Sequence, residues 1–534
     1  MSSQARLYLQ VILPLKLSWE PWYGFCGEVS VGRRVAVTFH GKKYVGVVHR
    51  CGGTPEINPA RITDIDEVLD SLAPISPEEI SLWEFTSKYY LCTIGEVYKA
   101  AYPELKTRSE IDAASSVARL QGLIGAKEAL IEKLKARKRP NVKLIAEHEA
   151  ILQRHTAALQ ALRSGSAVTA ETKHGKAPKP VLMVMPDRAD DYVQAVRQTV
   201  LAGGTALVLV PEVSAGKALQ DRFSEEFGDI LQVHNSLKTA VQRRKVMNSL
   251  RDAVGPQVIL GTRSSLFLPY TDLRLIIVDE EQDPLYKQRE PAPRYNGRDI
   301  AVVLASIHGA QAILGTPCPS LESLENARIG KYDLQFRPSQ CPVELIDIPS
   351  EKRKSGMKGA FSIKALEAMR LADGPVTVVR CYETEDNVRA QLSSEQGDFS
   401  VLTASAARNS ASRSALTVIL NADSLFDRDD FRADEKALQV LCDLASGTGR
   451  MVVQTANAAH PVFALLRSGE LPYALLEERK EFNLPPYTRI ININGLRGNL
   501  FRREILSKGR TMEAKKKEIA DRYAISNIID VDPL

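Results

Sequence analysis

The amino-acid sequence predicts an α/β protein in which parallel sheets are flanked by helices. Between residues 181 and 315, short apolar runs alternate with helical segments, which is typical of a doubly wound sheet. One apolar run, Leu275–Val278, leads directly into the acidic group Asp279-Glu280-Glu281. Ligands bind such sheets at the carboxyl ends of the strands, so we expect the chemistry of this chain to lie there.

The composition is that of a globular protein with several domains. The chain has 534 residues, of which 44% are hydrophobic and 25% charged, and its net charge is +5. Because that charge is mild, a polyanionic partner has to be inferred from local basic clusters. Seven cysteines without any C-x-x-C pair indicate a reducing compartment and no zinc. No signal peptide and no membrane-spanning apolar run is found, so we expect a cytoplasmic protein without a membrane partner.

Residues 1–108 are expected to form a small β-rich domain followed by helices. The β-type runs are Tyr8–Leu13, Arg34–Phe39 and Tyr44–Val48. The segment His40-Gly41-Lys42-Lys43 joins the last two runs as a hairpin with a basic tip. Pro77 begins a helix, and Ser76 is its expected N-cap.

Residues 109–165 predict an antiparallel helical hairpin. Two apolar series at heptad spacing are separated by Pro140, which breaks a helix. Lysines and arginines crowd its tip, where they form either a solvated face or a contact to phosphate. His148 and His155 share one face and are expected to pack rather than to bind metal. Residues 166–180 are expected to be a linker, because the stretch Ser164–Pro180 is rich in Gly, Ser, Ala and Lys.

The region with alternating elements follows the linker. Its predicted strands and helices are, in order, Val181–Met185, Asp191–Leu201, Ala206–Pro211, Gly216–Phe227, Gln232–His234, Gln242–Val254, Val258–Gly261, Leu275–Asp279, Arg298–His308 and Ala312–Gly315.

Asp279 and Glu280 are candidate catalytic residues. An Asp-Glu pair at the end of a buried strand is typical of P-loop NTPases, in which the Asp orders Mg²⁺ and the Glu polarises the attacking water. The alternative is a strand that leaves the sheet into a solvated acidic turn.

The segment after the acidic group interleaves aromatic and basic residues, which suits base stacking and phosphate pairing. Its candidate DNA-binding residues are Tyr286, Lys287, Arg294, Tyr295 and Arg298. The alternative is that both tyrosines pack the loop onto the protein.

Motifs in this region resemble those of the PriA family of replication-restart proteins, which are superfamily-2 DNA helicases. The matching segments are Leu207–Glu212 (LVLVPE), Ile259–Phe267 (ILGTRSSLF), Val278–Asp299 with its VDEEQD start, and Leu314–Ser323 (LGTPCPSLES). The resemblance implies two RecA-like helicase lobes, at 181–336 and 337–470, followed by a truncated C-terminal domain at 471–534. We also expect Arg263, in the second motif, to contact DNA.

The N-terminal part resembles the family's 3′-DNA-binding domain, which captures the 3′ end of a nascent strand at a fork. The segments VGRRVAVTF and GKKYVGVV carry this resemblance. A short motif ending in an aromatic residue lines the family's pocket, and Pro21-Trp22-Tyr23 occupies the matching place. The residues of this domain expected to contact DNA are Trp22, Tyr23, Arg33, Lys42 and Lys43. The alternative is that Trp19, Trp22 and Tyr23 are core aromatics.

The chain departs from the family where ATP would be bound. The family's GSGKT phosphate loop is replaced by MPDRADDY at residues 185–192, which has neither glycine nor lysine and adds acids that repel a triphosphate. Gly447 stands where the family's AGRAGR motif has the first arginine, which touches the γ-phosphate. The family's paired zinc-binding cysteines are absent from the second lobe.

These observations predict a PriA-like protein that binds forked or single-stranded DNA without ATP-driven unwinding. Asp279 and Glu280 would then be the vestige of a metal and water site, with no zinc and no bound nucleotide. Two alternatives remain: a residual ATP-dependent 3′–5′ helicase that uses ATP and Mg²⁺, or a non-enzymatic scaffold for other proteins. Expected partners are DNA and, through the family, primosome or single-strand-binding proteins.

Overall fold

The structure of the chain is a computed structural model. It describes residues 6–103, 116–136, 177–212, 216–252, 255–354, 356–408, 413–426 and 430–533, together with single residues between 145 and 160.

The N-terminal residues form an antiparallel sheet with the strand order β2-β1-β4-β3-β5. Its strands are β1 (Leu7–Ile12), β2 (Trp22–Phe25), β3 (Arg34–Phe39), β4 (Lys42–Cys51) and β5 (Glu67–Val68). The predicted hairpin is confirmed, since Phe39 pairs with Lys42 across a two-residue turn. His40 and Gly41 in that turn have φ angles of 46° and 73°, as a tight hairpin turn requires.

Two helices, Pro77–Tyr90 and Ile94–Ala101, share a hydrophobic core with this sheet. Ser76 caps the first helix as predicted, because its hydroxyl accepts a hydrogen bond from the Glu79 N–H and the Glu79 carboxylate accepts one from the Ser76 N–H. The Tyr98 hydroxyl ties the second helix to the sheet by donating to the carbonyl of Val45.

The helix Ser116–Lys135 lies in the region of the predicted helical hairpin. Its residues Ile131 and Leu134 pack against Ile145 of the following segment. The Lys127 ammonium lies 3.1 Å from Nδ1 of His148. Most of the second arm, the basic residues beyond 136, His155 and most of the linker lie outside the described residues.

Lobe 1 is a parallel sheet with the strand order β12-β6-β11-β10-β7-β9-β8. The strands are β6 (Val181–Val184), β7 (Thr205–Leu209), β8 (Leu231–His234), β9 (Val258–Gly261), β10 (Leu273–Asp279), β11 (Gln311–Thr316) and β12 (Asp333–Phe336). The helices are Ala189–Leu201, Lys217–Phe227, Ala240–Arg251, Gly297–His308 and Leu321–Arg328. The predicted α/β fold is confirmed, and the middle residues of the central strands are apolar because helices cover both faces of the sheet.

Lobe 2 is a second parallel sheet, with the strand order β13-β19-β18-β16-β17. Its strands are β13 (Val343–Asp347), β16 (Val376–Arg380), β17 (Phe399–Thr403), β18 (Ser414–Ile419) and β19 (Thr448–Thr455), and a small hairpin pairs β14 (Met357–Lys358) with β15 (Phe361–Ser362). Its helices are Ile348–Arg353, Ile363–Arg370, Glu385–Leu392, Ala404–Arg408, Ala433–Ser446, Pro461–Ser468 and Tyr473–Glu481.

The C-terminal residues form a small antiparallel sheet with one helix, Met512–Tyr523. Its strands β20 (Thr488–Asn494), β21 (Leu500–Ser507) and β22 (Ile528–Val531) have the order β21-β20-β22. This unit is docked on lobe 1, because Asp530 of β22 forms a 2.7 Å ion pair with Lys287.

Candidate functional site

The acidic group lies at the carboxyl end of β10, in the interior of the lobe 1 sheet. β10 pairs with β7 on one side and with β11 on the other, where Asp279 is opposite Gly315. Glu280 has a left-handed φ of 50°, a strained conformation for a residue with a side chain. The chain therefore turns sharply after the strand, and Asp279 and Glu280 both face the start of the helix Ala189–Leu201.

Arg188, the residue just before that helix, fills the space in front of both carboxylates. Its Nη2 lies 2.9 Å from Oδ1 of Asp279 and 2.5 Å from Oε1 of Glu280, and its Nε donates to Asp279 at 3.1 Å. Its Nη1 donates to the carbonyl oxygen of Met185 at 2.7 Å. The guanidinium is buried and makes charge-assisted hydrogen bonds inside the protein.

Tyr192, one helical turn after Arg188, completes this arrangement. Its hydroxyl lies 2.9 Å from Oδ1 of Asp279 and 3.1 Å from Nε of Arg188. Gly315 of the neighbouring strand is needed here, because a Cβ at that position would collide with the Tyr192 hydroxyl. The strand end is thus packed with side chains of the chain itself.

The electrostatics of the cluster follow from its burial. Burial alone would lower the pKa of Arg188, but Asp279 and Glu280 outweigh that effect and hold the pKa well above its ordinary value. Burial raises the pKa of Asp279, and the charge of Arg188 opposes that rise. Arg188 therefore places a fixed positive charge against both acids, where the sequence interpretation expects Mg²⁺ in an active site.

The residues present do not fit a nucleotide with its metal ion. A phosphate cradle needs free backbone N–H groups and a cation that can reach the phosphates, whereas Arg188 is already paired and Pro186 has no N–H. The acids at 187, 190 and 191, expected to repel a triphosphate, are exposed instead. Their repulsion of a triphosphate stays a prediction, and the structure adds a buried cation, Arg188, directly in front of the acidic pair.

The tyrosines of the aromatic-rich loop do not form a stacking surface. Tyr286 is 1% exposed, and its hydroxyl donates to the carbonyl oxygens of Leu209 and Asp279 at 3.0 and 2.6 Å. Tyr295 is 3% exposed and donates to the carbonyl oxygen of Arg263. The expectation that these rings stack on bases is wrong for this conformation, and the alternative of loop packing accounts for them.

The basic residues of the same loop also have internal partners. Lys287 is buried and donates to the carbonyls of Arg294 and Val531. Arg298 is buried and lies 3.3 Å from Glu281 and 2.7 Å from the Ser320 hydroxyl. The expectation that Lys287 and Arg298 contact phosphates directly is therefore corrected as well.

Arg263 and Arg294 are only partly buried. Arg263 donates to the Gln288 side chain and to the carbonyl of Leu285, which braces the loop. Arg294 lies 3.5 Å from Glu290, an exposed carboxylate. A role of these two arginines in DNA binding stays a prediction.

The hairpin of the N-terminal domain presents a different surface. Lys42 and Lys43 are exposed at its tip. Trp19 is 55% exposed, and its ring lies 6.2 Å from that of Phe39, which is paired with Lys42 across the hairpin. Because directly paired residues share a face of a sheet, Lys42 lies on the side of Trp19.

The aromatic residues expected in the family's pocket are less accessible than Trp19. Tyr23 is buried, and its hydroxyl lies 3.3 Å from the carbonyl of Thr38, so its assignment as a DNA contact is corrected. Burial, together with the nearby Asp66 charge, raises the pKa of Tyr23 to about 12. Trp22 is partly buried on β2, and Arg33 pairs with Asp70 at 3.4 Å. The sequence analysis named Trp19 only in the alternative that makes these aromatics core residues. No local signal marks its exposure beside the hairpin, because Phe39, whose ring it approaches, is 20 residues further along the chain.

The part of the chain that the structure describes contains neither a metal-binding cluster nor a membrane-spanning helix. There, no three His, Cys, Asp or Glu side chains are grouped so as to hold a metal ion. The described helices also include none with the length and apolar character needed to cross a membrane.

Comparison with known proteins identifies relatives of this chain. Residues 10–103 match the family model of the PriA 3′DNA-binding domain (3′BD). The replication restart protein PriA of Chlamydia pneumoniae is 27% identical over 444 residues, covering 71% of this chain and 58% of that protein. The PriA of Rickettsia felis is 27% identical over 331 residues, 61% of this chain and 45% of that protein. The PriA of Bacillus subtilis is 32% identical over 189 residues, 34% of this chain and 23% of that protein.

The chain spans about half the length of the first two of these relatives. Among solved structures, S. cerevisiae Dbp5 bound to RNA and ADP BeF3 is 11% identical with a TM-score of 0.36, over 63% of this chain and 97% of that one. RecG bound to a three-way DNA junction is 14% identical with a TM-score of 0.32, over 90% of this chain and 72% of that one.

Proposed function

This chain belongs to the PriA family of replication-restart proteins, and from that premise we propose that it binds forked or single-stranded DNA without hydrolysing ATP. In this proposal the N-terminal domain makes the DNA contacts, and the two helicase-like lobes no longer hydrolyse ATP or drive unwinding.

The DNA-binding part of the proposal rests on the match of residues 10–103 to a 3′-DNA-binding domain. Trp19, Phe39 and Lys42 support it, because they offer an exposed indole and an ammonium on one face of the hairpin. Aromatic rings stack on bases of any sequence, and lysines pair with phosphates, so this combination suits the end of a single strand.

The loss of ATP hydrolysis is supported by one observation above all: Arg188 is bound to both Asp279 and Glu280. Phosphoryl transfer needs a phosphate cradle, a metal site and a cation at the transition state together. Here the cation next to the acids is supplied by the chain and is committed to them. Gly447, where the family has an arginine, removes a further group that transition-state stabilisation would need.

Fluorescence anisotropy with a labelled fork and with a blunt duplex of the same length tests the DNA-binding part. We expect binding at low salt, with a preference for the fork. Lys42→Ala with Lys43→Ala should reduce the slope of log Kobs against log salt by about one to two units. A matched control is Lys217→Ala with Lys364→Ala, which removes two exposed lysines of the lobes and should leave the slope unchanged.

If the wild-type protein has no affinity for forked or single-stranded DNA at low salt, the proposal fails. The scaffold for other proteins would then be the better account of the chain.

A further inference from the structure

The loop after β10 reaches from lobe 1 to lobe 2. Nε2 of Gln282 lies 2.6 Å from Oε2 of Glu280 and 3.1 Å from Oδ1 of Asp443, which belongs to lobe 2. The Thr316 hydroxyl donates to Oε1 of Gln282 at 2.7 Å, so this side-chain amide is held at both ends. Gln282 therefore joins the cluster around Arg188 to the other lobe.

Arg408 makes a second bridge between the lobes, parallel to the first. It lies at the end of the lobe 2 helix Ala404–Arg408, with Nη2 3.2 Å from Oδ2 of Asp283 in lobe 1. Its Nε lies 2.6 Å from Oδ2 of Asp443. Asp443 thus receives a contact from each bridge.

The lobe 2 helix Ala433–Ser446 presents a polar stripe to lobe 1. Glu435, Gln439 and Asp443 are spaced by four residues, which places them on one face of a helix. The Glu435 carboxylate accepts from the N–H of Leu321, and Gln439 donates to the carbonyl of Pro319. All three residues of the stripe therefore bond to lobe 1.

Apolar residues close the interface beside this stripe. Cys318, Leu321 and Leu324 of lobe 1 are buried in one hydrophobic cluster with Leu438 and Leu441 of lobe 2. A common core resists separation of the lobes, because opening would expose this apolar surface to water.

The charges of the network are largely removed from water. Asp283, Arg408 and Asp443 have side-chain exposures of 11%, 21% and 7%. Exposed ion pairs contribute little, whereas loss of one partner from a buried pair leaves an uncompensated charge. In the described part of the chain, four carboxylates and two guanidinium groups make up the network: Asp279, Glu280, Asp283, Asp443, Arg188 and Arg408.

We propose that these residues form a latch that holds the two lobes closed on each other without any nucleotide. Arg188 holds the acidic pair in place. Gln282 and Arg408 make the contacts between the lobes, and Asp443 of the helix Ala433–Ser446 is the lobe 2 residue that both of them contact. The latch concerns the relation between the lobes, so it stands or fails independently of whether the chain binds DNA.

Single-molecule FRET between the lobes tests this latch. The dyes are attached through a ketone-bearing unnatural amino acid at Leu201 in lobe 1 and at Leu371 in lobe 2, since both positions are about four-fifths exposed and native cysteines are left untouched. We expect a single narrow population in the wild type, unchanged by addition of ATP and Mg²⁺. Arg408→Ala should add a second population of lower transfer efficiency.

The control is Arg389→Ala, which removes an exposed lobe 2 arginine paired with Glu385 and should leave the single population intact. Should Arg408→Ala fail to fold by circular dichroism, Gln282→Ala takes its place with the same expected result. A wild-type distance that shifts with ATP and Mg²⁺ would overturn the latch, and so would a bridge variant that keeps the single narrow population. Fork affinity measured on the same samples keeps this outcome separate from that of the proposed function.

Discussion

Two regions of this chain combine aromatic with basic residues, and their environments are opposite. In the loop of lobe 1, Tyr286 and Lys287 are buried and bonded to backbone carbonyls. At the N-terminal hairpin, Trp19 is more than half exposed and Lys42 is exposed. The same composition can therefore pack a loop or remain available for DNA, and burial separates the two cases.

The difference follows from where each region lies in the fold. The lobe 1 loop is enclosed between the sheet, the helix Gly297–His308 and the C-terminal unit, whose Asp530 pairs with Lys287. The hairpin turn joins the ends of β3 and β4, where both lysines are exposed to solvent. Substitutions in the first region should therefore change stability, and those in the second should change DNA affinity.

The largest effect is expected for Arg188→Ala. It leaves Asp279 and Glu280 buried without their countercharge, so the free energy of unfolding should fall by about 3–5 kcal/mol. Urea unfolding followed by circular dichroism measures this change. Arg197→Ala, which removes a more exposed arginine paired with Glu226, should cost no more than about 1 kcal/mol. Equal stabilities of the two variants would contradict the claim that buried Arg188 stabilises the acidic pair.

Tyr286→Ala should have an effect of similar size, about 3–5 kcal/mol, because it opens a cavity and leaves two carbonyl oxygens without their donor. DNA affinity should not change under conditions where the variant is folded. Tyr473→Ala, at an exposed tyrosine of the helix Tyr473–Glu481, should alter stability by no more than about 0.5 kcal/mol. A Tyr286→Ala protein that is stable but binds DNA weakly would restore the stacking interpretation.

Trp19→Ala should show the reverse behaviour. Loss of a stacking partner weakens binding of a fork or single strand by about 1–3 kcal/mol, which is about 5- to 150-fold in Kd. Stability should hardly change, because the indole is mostly exposed. Phe482→Ala, at an exposed ring far along the chain, serves as the control and should leave affinity as it is. An unchanged Kd for Trp19→Ala would remove the hairpin from the DNA-binding surface.

The smallest effect concerns pH. Burial and the neighbouring Glu280 charge raise the pKa of Asp443, whereas Arg408 and Arg188 lower it, and Asp283 adds to the rise. Because the folded-state pKa lies above the unfolded value, the folded protein binds more protons. Protonation of Asp443 therefore stabilises the folded state. This stabilisation is complete below the pKa of Asp443 in the unfolded chain, and it is lost as the pH rises through the pKa of Asp443 in the folded protein. Urea unfolding across this range should show less dependence on pH in Asp443→Asn than in the wild type, and an equal dependence would contradict this assignment.

The sheets of the fold could be predicted from the sequence because apolar strands and amphipathic helices leave local patterns. In strand β10, for example, the apolar run Leu275–Val278 leads to Asp279, and this pattern alone located most of the strand. The loss of the phosphate loop was also visible, since neither glycine nor lysine occurs at 185–192.

The partners of the acidic pair could not be predicted in the same way. Arg188 and Asp279 are 91 residues apart, and Arg408 and Asp283 are 125 apart, so only the folded chain brings them together. The burial of Tyr286 and Tyr295 depends on the same long-range packing. The four-residue spacing of Glu435, Gln439 and Asp443 is visible in the sequence. That these side chains bond to lobe 1 is seen only in the folded chain.

Arg188 is bonded to both Asp279 and Glu280, and this is the main ground for the proposal that the chain does not hydrolyse ATP. ATP turnover tests that proposal most directly. Phosphate release is measured with ATP and Mg²⁺, with and without forked DNA, on the wild type and on Glu280→Gln. We expect no turnover above background in either protein, because the carboxylates of Asp279 and Glu280 are already bonded to Arg188. DNA-stimulated turnover by the wild type that disappears in Glu280→Gln would contradict the account and establish a working ATPase.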